Sequence, residues 1–163
     1  MKTKKIAGIG MMIALAFVLS YIESLIPFSF GIPGIKLGLS NLVVMVSLYQ
    51  FSTKTAFGIS VVRILLAGLT FGSLYSMLYS LAGGLFSFVI MALLKKTKCF
   101  SVYGVSMAGG ICHNIGQIAV ASLILQTGLL VYYLPFLLVS GILAGMAIGF
   151  VSGLMIQRVG KTI

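Results

Sequence analysis

Six apolar runs, each parted from the next by a turn or a few lysines, make up almost all of this chain and leave few folds open to it. A run of about 20 apolar residues crosses a bilayer as a helix, because a helix satisfies its own N–H and C=O groups where lipid cannot. The runs lie at about 6–26, 37–51, 55–70, 74–94, 102–125 and 129–156. With 60% hydrophobic residues, 7% charged residues and a mean hydropathy of +1.21, a soluble domain of 163 residues could not hide its apolar surface. An outer-membrane barrel would need strands of roughly ten residues that alternate apolar and polar side chains, which unbroken runs rich in Gly and Ala do not provide. The expected fold is an all-α integral membrane protein, one domain over 1–163 with about six transmembrane helices in one bundle. The second run is short for a full span. The first could pass for a signal peptide, but no A-x-A-like site follows it and further spans do, so it reads as helix one.

The net charge of +10 would suit nucleic acid if it ran along one face. Instead it gathers in the breaks between runs. Counting alternate breaks, one side collects Lys2, Lys4, Lys5, Lys54, Lys95, Lys96, Lys98, Arg158 and Lys161, and the other has Lys36. The positive-inside rule then puts both termini in the cytoplasm and the chain in the cell membrane, with no role for nucleic acid. Cys99 and Cys112 show neither metal-ligand spacing nor a disulfide framework.

Against this apolar background the polar residues inside the runs stand out. His113, Asn114 and Gln117 lie in GGICHNIGQIAVA (109–121), where helical spacing sets all three in one sector. Arg63 interrupts VVRILLAG in helix three, and Glu23, the one acidic residue of the chain, stands a turn before Pro27. Polar groups at membrane depth face a bundle interior or a cavity, where they mark binding sites. Arg63 needs a carboxylate, carbonyls, water or an anionic ligand. Two readings stay open: a structural pair of Glu23 with Arg63 or with Lys36, or charges that face a ligand in an outward cavity. His113 likewise is either a buried structural hydrogen-bonder or a pocket wall. Asn41 joins these as a hydrogen-bonding candidate, and the loop over 27–36, with its Pro33-Gly34 turn, is placed to act as a lid.

Small residues carry a weaker signal. Gly10 and Ala14 are spaced small-xxx-small on helix one, as are Ala16 and Ser20, and such faces let helices approach closely, within the chain or in a partner. Gly83-Gly84, Gly109-Gly110 and Gly141, Gly145 and Gly149 read the same way.

Taken together, IPGIKLGLSNLVV (32–44), RILLAGLTFGSLYSMLYSLAGGLFS (63–87) and GGICHNIGQIAVA resemble the Gx transporter family, also labelled heptaprenyl diphosphate synthase component I. That family is similar to the substrate-binding S components of energy-coupling factor (ECF) transporters. The resemblance implies a six-helix membrane subunit that captures a small vitamin-like substrate from outside. Its implied partners are a transmembrane coupling subunit and two cytoplasmic ATPases. S components dock the coupling subunit through an AxxxA-type motif on helix one, whose nearest match here is Gly10 to Ala14. No nucleotide-binding GxxxxGK[ST] occurs in the chain, in keeping with energy supplied by a partner.

The synthase label raises a second expectation. Prenyl diphosphate elongation commonly holds magnesium between paired aspartates, which one acidic residue cannot provide. Catalysis by this chain alone is therefore not expected, and no cofactor is. The second reading is a non-catalytic membrane accessory subunit of polyprenyl diphosphate synthesis or quinone metabolism. Under the first, the substrate would be anionic or amphipathic, met by Arg63 or Lys36 with Asn41, His113, Asn114 and Gln117.

Overall fold

The computed structural model describes residues 2–26 and 38–159, and every regular element among them is helical. Five helices are long and apolar enough to span: α1 (Lys2–Leu25), α3 (Thr53–Thr70), α4 (Leu74–Thr97), α5 (Val102–Leu125) and α6 (Leu134–Val159). The expected limits of α5 are met to the residue. The sixth run differs in its start, since a short 3₁₀ turn over Leu129–Tyr133 precedes α6. Pro135 then falls in the first turn of α6, where its missing N–H and fixed φ cost the helix little.

α2 (Leu39–Gln50) is the short second helix that its run announced. At 12 residues it rises only about 18 Å, little more than half a hydrocarbon core. It is nonetheless the most buried element. Val43, Val44, Met45, Val46, Ser47 and Leu48 are all at most 1% exposed, too continuous a run to be a one-faced amphipathic helix. One side of α2 packs on Met12 and Ala16 of α1 and Ile59 of α3. Another meets Phe88 and Met91 of α4, Val105 of α5 and Ile148 of α6. α2 is thus a half-length central post.

Local signals set the ends of the long helices. Ser52, Ser73 and Ser101 cap α3, α4 and α5, each side chain accepting from the backbone N–H three residues on. The carbonyl of Leu48, in the last turn of α2, accepts from Nζ of Lys95, which also lies 5.1 Å from the Tyr49 ring centroid. That bond brings the Lys95–Lys98 cluster to the end of the bundle where α2 gives way to Lys54. Lys54 and the Lys95–Lys98 cluster, grouped by counting alternate breaks, thus share one end of the bundle. At the other end Tyr21, Tyr75 and Tyr132 are exposed, as in an interfacial aromatic belt.

Glycines set the spacing of α4, α5 and α6. A Cβ on Gly110 would collide with the carbonyl oxygen of Gly141, one on Gly145 would lie 2.7 Å from the Met107 Cα, and one on Gly116 2.9 Å from the Gly83 Cα. Backbones this close gain dispersion contacts along their length, the main attraction left between helices already in lipid. The packing reading of these glycines holds.

Candidate functional site

All six helices line one internal cavity of ≈ 200 Å³. Its lining includes Glu23, Asn41, Arg63, His113, Asn114 and Gln117, so six residues expected at a site meet at one chamber. Lys36, and the lid expected over 27–36, fall outside the described residues. Gly10 and Ala14 do not line the chamber; they face outward on α1, and nothing lies within 4 Å of a Cβ built on Gly10.

The charged wall is built where α2 begins. Gly38 sits at φ +70, a left-handed conformation that suits glycine, and its N–H donates to Oε1 of Glu23 at 2.5 Å. This ties the end of α1 to the start of α2. One turn on, Ser40 and Asn41 point at α3: Arg63 donates through Nη1 to Ser40 Oγ and through Nη2 to Asn41 Oδ1, the latter at 2.6 Å. Arg63 is 7% exposed. Its cost of burial is offset by those two bonds and by the charge of Glu23, which lies within electrostatic range. Its Nε is buried and has no hydrogen-bond partner among the described residues. Among the described residues, Arg63 bonds α2 side chains and Glu23 bonds α2 backbone while its charge acts on Arg63; the pairing with Lys36 falls outside the described residues.

The opposite wall is α5. Asn114 is buried and donates through Nδ2 to the Leu137 carbonyl of α6 at 2.5 Å, so this residue pins two helices while lining the chamber. His113 and Gln117 flank it. A Cβ on Gly83 of α4 would stand 2.6 Å from the His113 carbonyl oxygen and 2.7 Å from Cγ of Gln117, so the glycine makes the room these side chains occupy.

Sequence reasoning missed the serines. Ser40 holds Arg63, and Ser20, Ser76, Ser80, Ser87 and Ser106 also line the chamber. A signal was present: Ser76, Ser80 and Ser87 lie four and seven residues apart on α4, and Ser106, Gly110, His113 and Gln117 lie four, three and four apart on α5. Both are stripes along one helix face. Isolated hydroxyls are tolerated in apolar helices, so the stripes carry weight only once they are seen to converge.

Helices long enough to span, a buried half-length post and an internal polar chamber define a multi-pass membrane protein with a solute-sized cavity in its bundle. The chain belongs to the heptaprenyl diphosphate synthase component I family, whose model matches residues 12–155. No curated protein and no solved structure matches it significantly.

Proposed function

We propose that this protein is the substrate-binding membrane subunit, the S component, of an ECF-type transporter, and that it captures a small anionic or amphipathic organic molecule. The observation that carries this reading is Arg63: a buried cation on the wall of a chamber built by six helices, whose Nε has no acceptor among the described residues. An isolated structural arginine would be expected to exhaust its donors, since each one left without an acceptor in low dielectric is costly. A carboxylate or phosphate of the ligand supplies the missing acceptor. His113 and Gln117 hold its polar remainder from α5. The Lys-rich end faces the cytoplasm in this reading, the protein sits in the cell membrane, and the outward face of Gly10 and Ala14 meets a transmembrane coupling subunit that works with two ATPases.

The test is purification of the native complex, followed by ATP-dependent uptake in proteoliposomes. Co-purification of ATPases, with uptake lost in Gln117→Ala, supports the reading; a native complex without any ATPase and with no bound small molecule removes it. The family description favours a second reading, a non-catalytic membrane accessory subunit of heptaprenyl diphosphate synthesis. Under that reading, deletion lowers polyprenyl diphosphate output in membranes supplied with every soluble subunit.

A further inference from the structure

A second depression lies on the lipid-facing side of the bundle and shares no residue with the central chamber. It is a groove of ≈ 350 Å³ between the start of α3 and the end of α4. Its floor is the edge-to-face pair of Phe57 and Phe88, with ring centroids 5.4 Å apart. Val89 and Leu93 extend the wall along α4 and are 50% and 53% exposed, and Lys54 and Lys96 join the lining from the Lys-rich end of the bundle. From Phe88 to Lys96 the groove follows α4 for about 12 Å. It is apolar along its length and cationic at one end.

That polarity selects an occupant. In a bilayer, lipid chains fill any apolar groove on the outer face of a bundle, so the end of the groove decides which headgroup stays. Two ammonium groups there favour a headgroup of net negative charge and repel the choline or ethanolamine cation of a zwitterionic lipid. The chain cannot neutralise them with an acidic side chain, because its one such residue, Glu23, is engaged at the start of α2. We infer that this groove is a binding site for an anionic glycerophospholipid, with an acyl chain against Phe57 and Phe88 and the phosphate held by Lys54 and Lys96. Lysines near a membrane surface contribute about fivefold each to the binding of an acidic lipid, so the pair should favour it by about 25-fold at low ionic strength.

The chain contains no tryptophan, which makes the site directly readable. The protein carrying Phe57→Trp is reconstituted in phosphatidylcholine containing increasing fractions of dibrominated phosphatidylglycerol, and quenching gives the relative affinity of the two lipids at the groove. Leu143→Trp, on a lipid-exposed part of α6, reports on bulk lipid. The expected result is a preference of about 25-fold for phosphatidylglycerol at position 57, lost when Lys54→Gln and Lys96→Gln are added, and near unity at position 143. Equal preferences at the two positions, or a preference at 57 that survives loss of both lysines, overturns the proposal. So does displacement of the brominated lipid by micromolar farnesyl diphosphate, which would assign the groove to a prenyl diphosphate instead.

Discussion

Nη2 of Arg63 donates to Oδ1 of Asn41 at 2.6 Å, joining the middle of α3 to the first turn of α2 across 22 positions of sequence. A hydrogen bond to a buried charge contributes about 1.5–3 kcal/mol. Asn41→Leu should therefore lower stability by that amount in detergent, read from the thermal midpoint. Asn41→Asp should keep the stability and weaken anionic ligands, because it neutralises the cation they would meet. Unchanged melting of Asn41→Leu would mean that the bond adds nothing.

Glu23 and Arg63 are predicted to be energetically coupled although each bonds to a different part of α2. Glu23→Gln leaves Arg63 without its countercharge, whereas Glu23→Gln combined with Arg63→Met removes both charges. The double variant should be more stable than the sum of the singles predicts, by about 0.5–3 kcal/mol. Additivity within about 0.3–0.5 kcal/mol would show that Glu23 acts through Gly38 alone.

Glycines at the α5–α6 seam and on the outer face of α1 should respond differently to one methyl group. Gly110→Ala drives a Cβ into the Gly141 carbonyl and should cost about 1–3 kcal/mol. Gly10→Ala meets nothing and should be neutral or slightly stabilising, since alanine is favoured over glycine within a helix by about 1 kcal/mol. Matched thermal melts of the two variants decide the point.

The same outer face tests the transporter reading. Gly10→Leu and Ala14→Leu are expected to leave folding and ligand binding intact while preventing recovery of a coupling subunit in pull-downs. Recovery equal to that of the unsubstituted protein would move the docking surface elsewhere.

Neighbouring polar residues of α5 should separate by role. Asn114→Ala loses its bond to the Leu137 carbonyl and should lower the thermal midpoint as well as ligand retention. Gln117→Ala should lower ligand retention at least tenfold with little change in melting. If both variants melt alike and bind alike, α5 is not divided in this way.

Much of this was legible from hydropathy alone, because a spanning helix must be apolar throughout its length; hence the close agreement over α5 and the grouping of Lys54 with Lys95, Lys96 and Lys98. Arg63, His113, Asn114 and Gln117 were also conspicuous, being costly in lipid. What could not be read was pairing. Ser40 and Arg63 are 23 residues apart, and nothing in a run of sequence says that a serine of one helix will hold an arginine of the next. The shortness of α2 was visible but its central burial was not, since a short apolar run is compatible with a tilted span, a re-entrant segment or a buried post.

The glycine seams give the bundle unequal sides. On the α4–α5–α6 side, backbone rests on backbone and a one-ångström slide would meet another atom at once. Around the start of α2, the contacts run through side chains of Glu23, Ser40, Asn41 and Arg63 rather than through backbone. Under the transporter reading such a chamber resembles a vice, with its fixed jaw on the glycine seams and any ligand-driven adjustment expected of α1, α2 and α3.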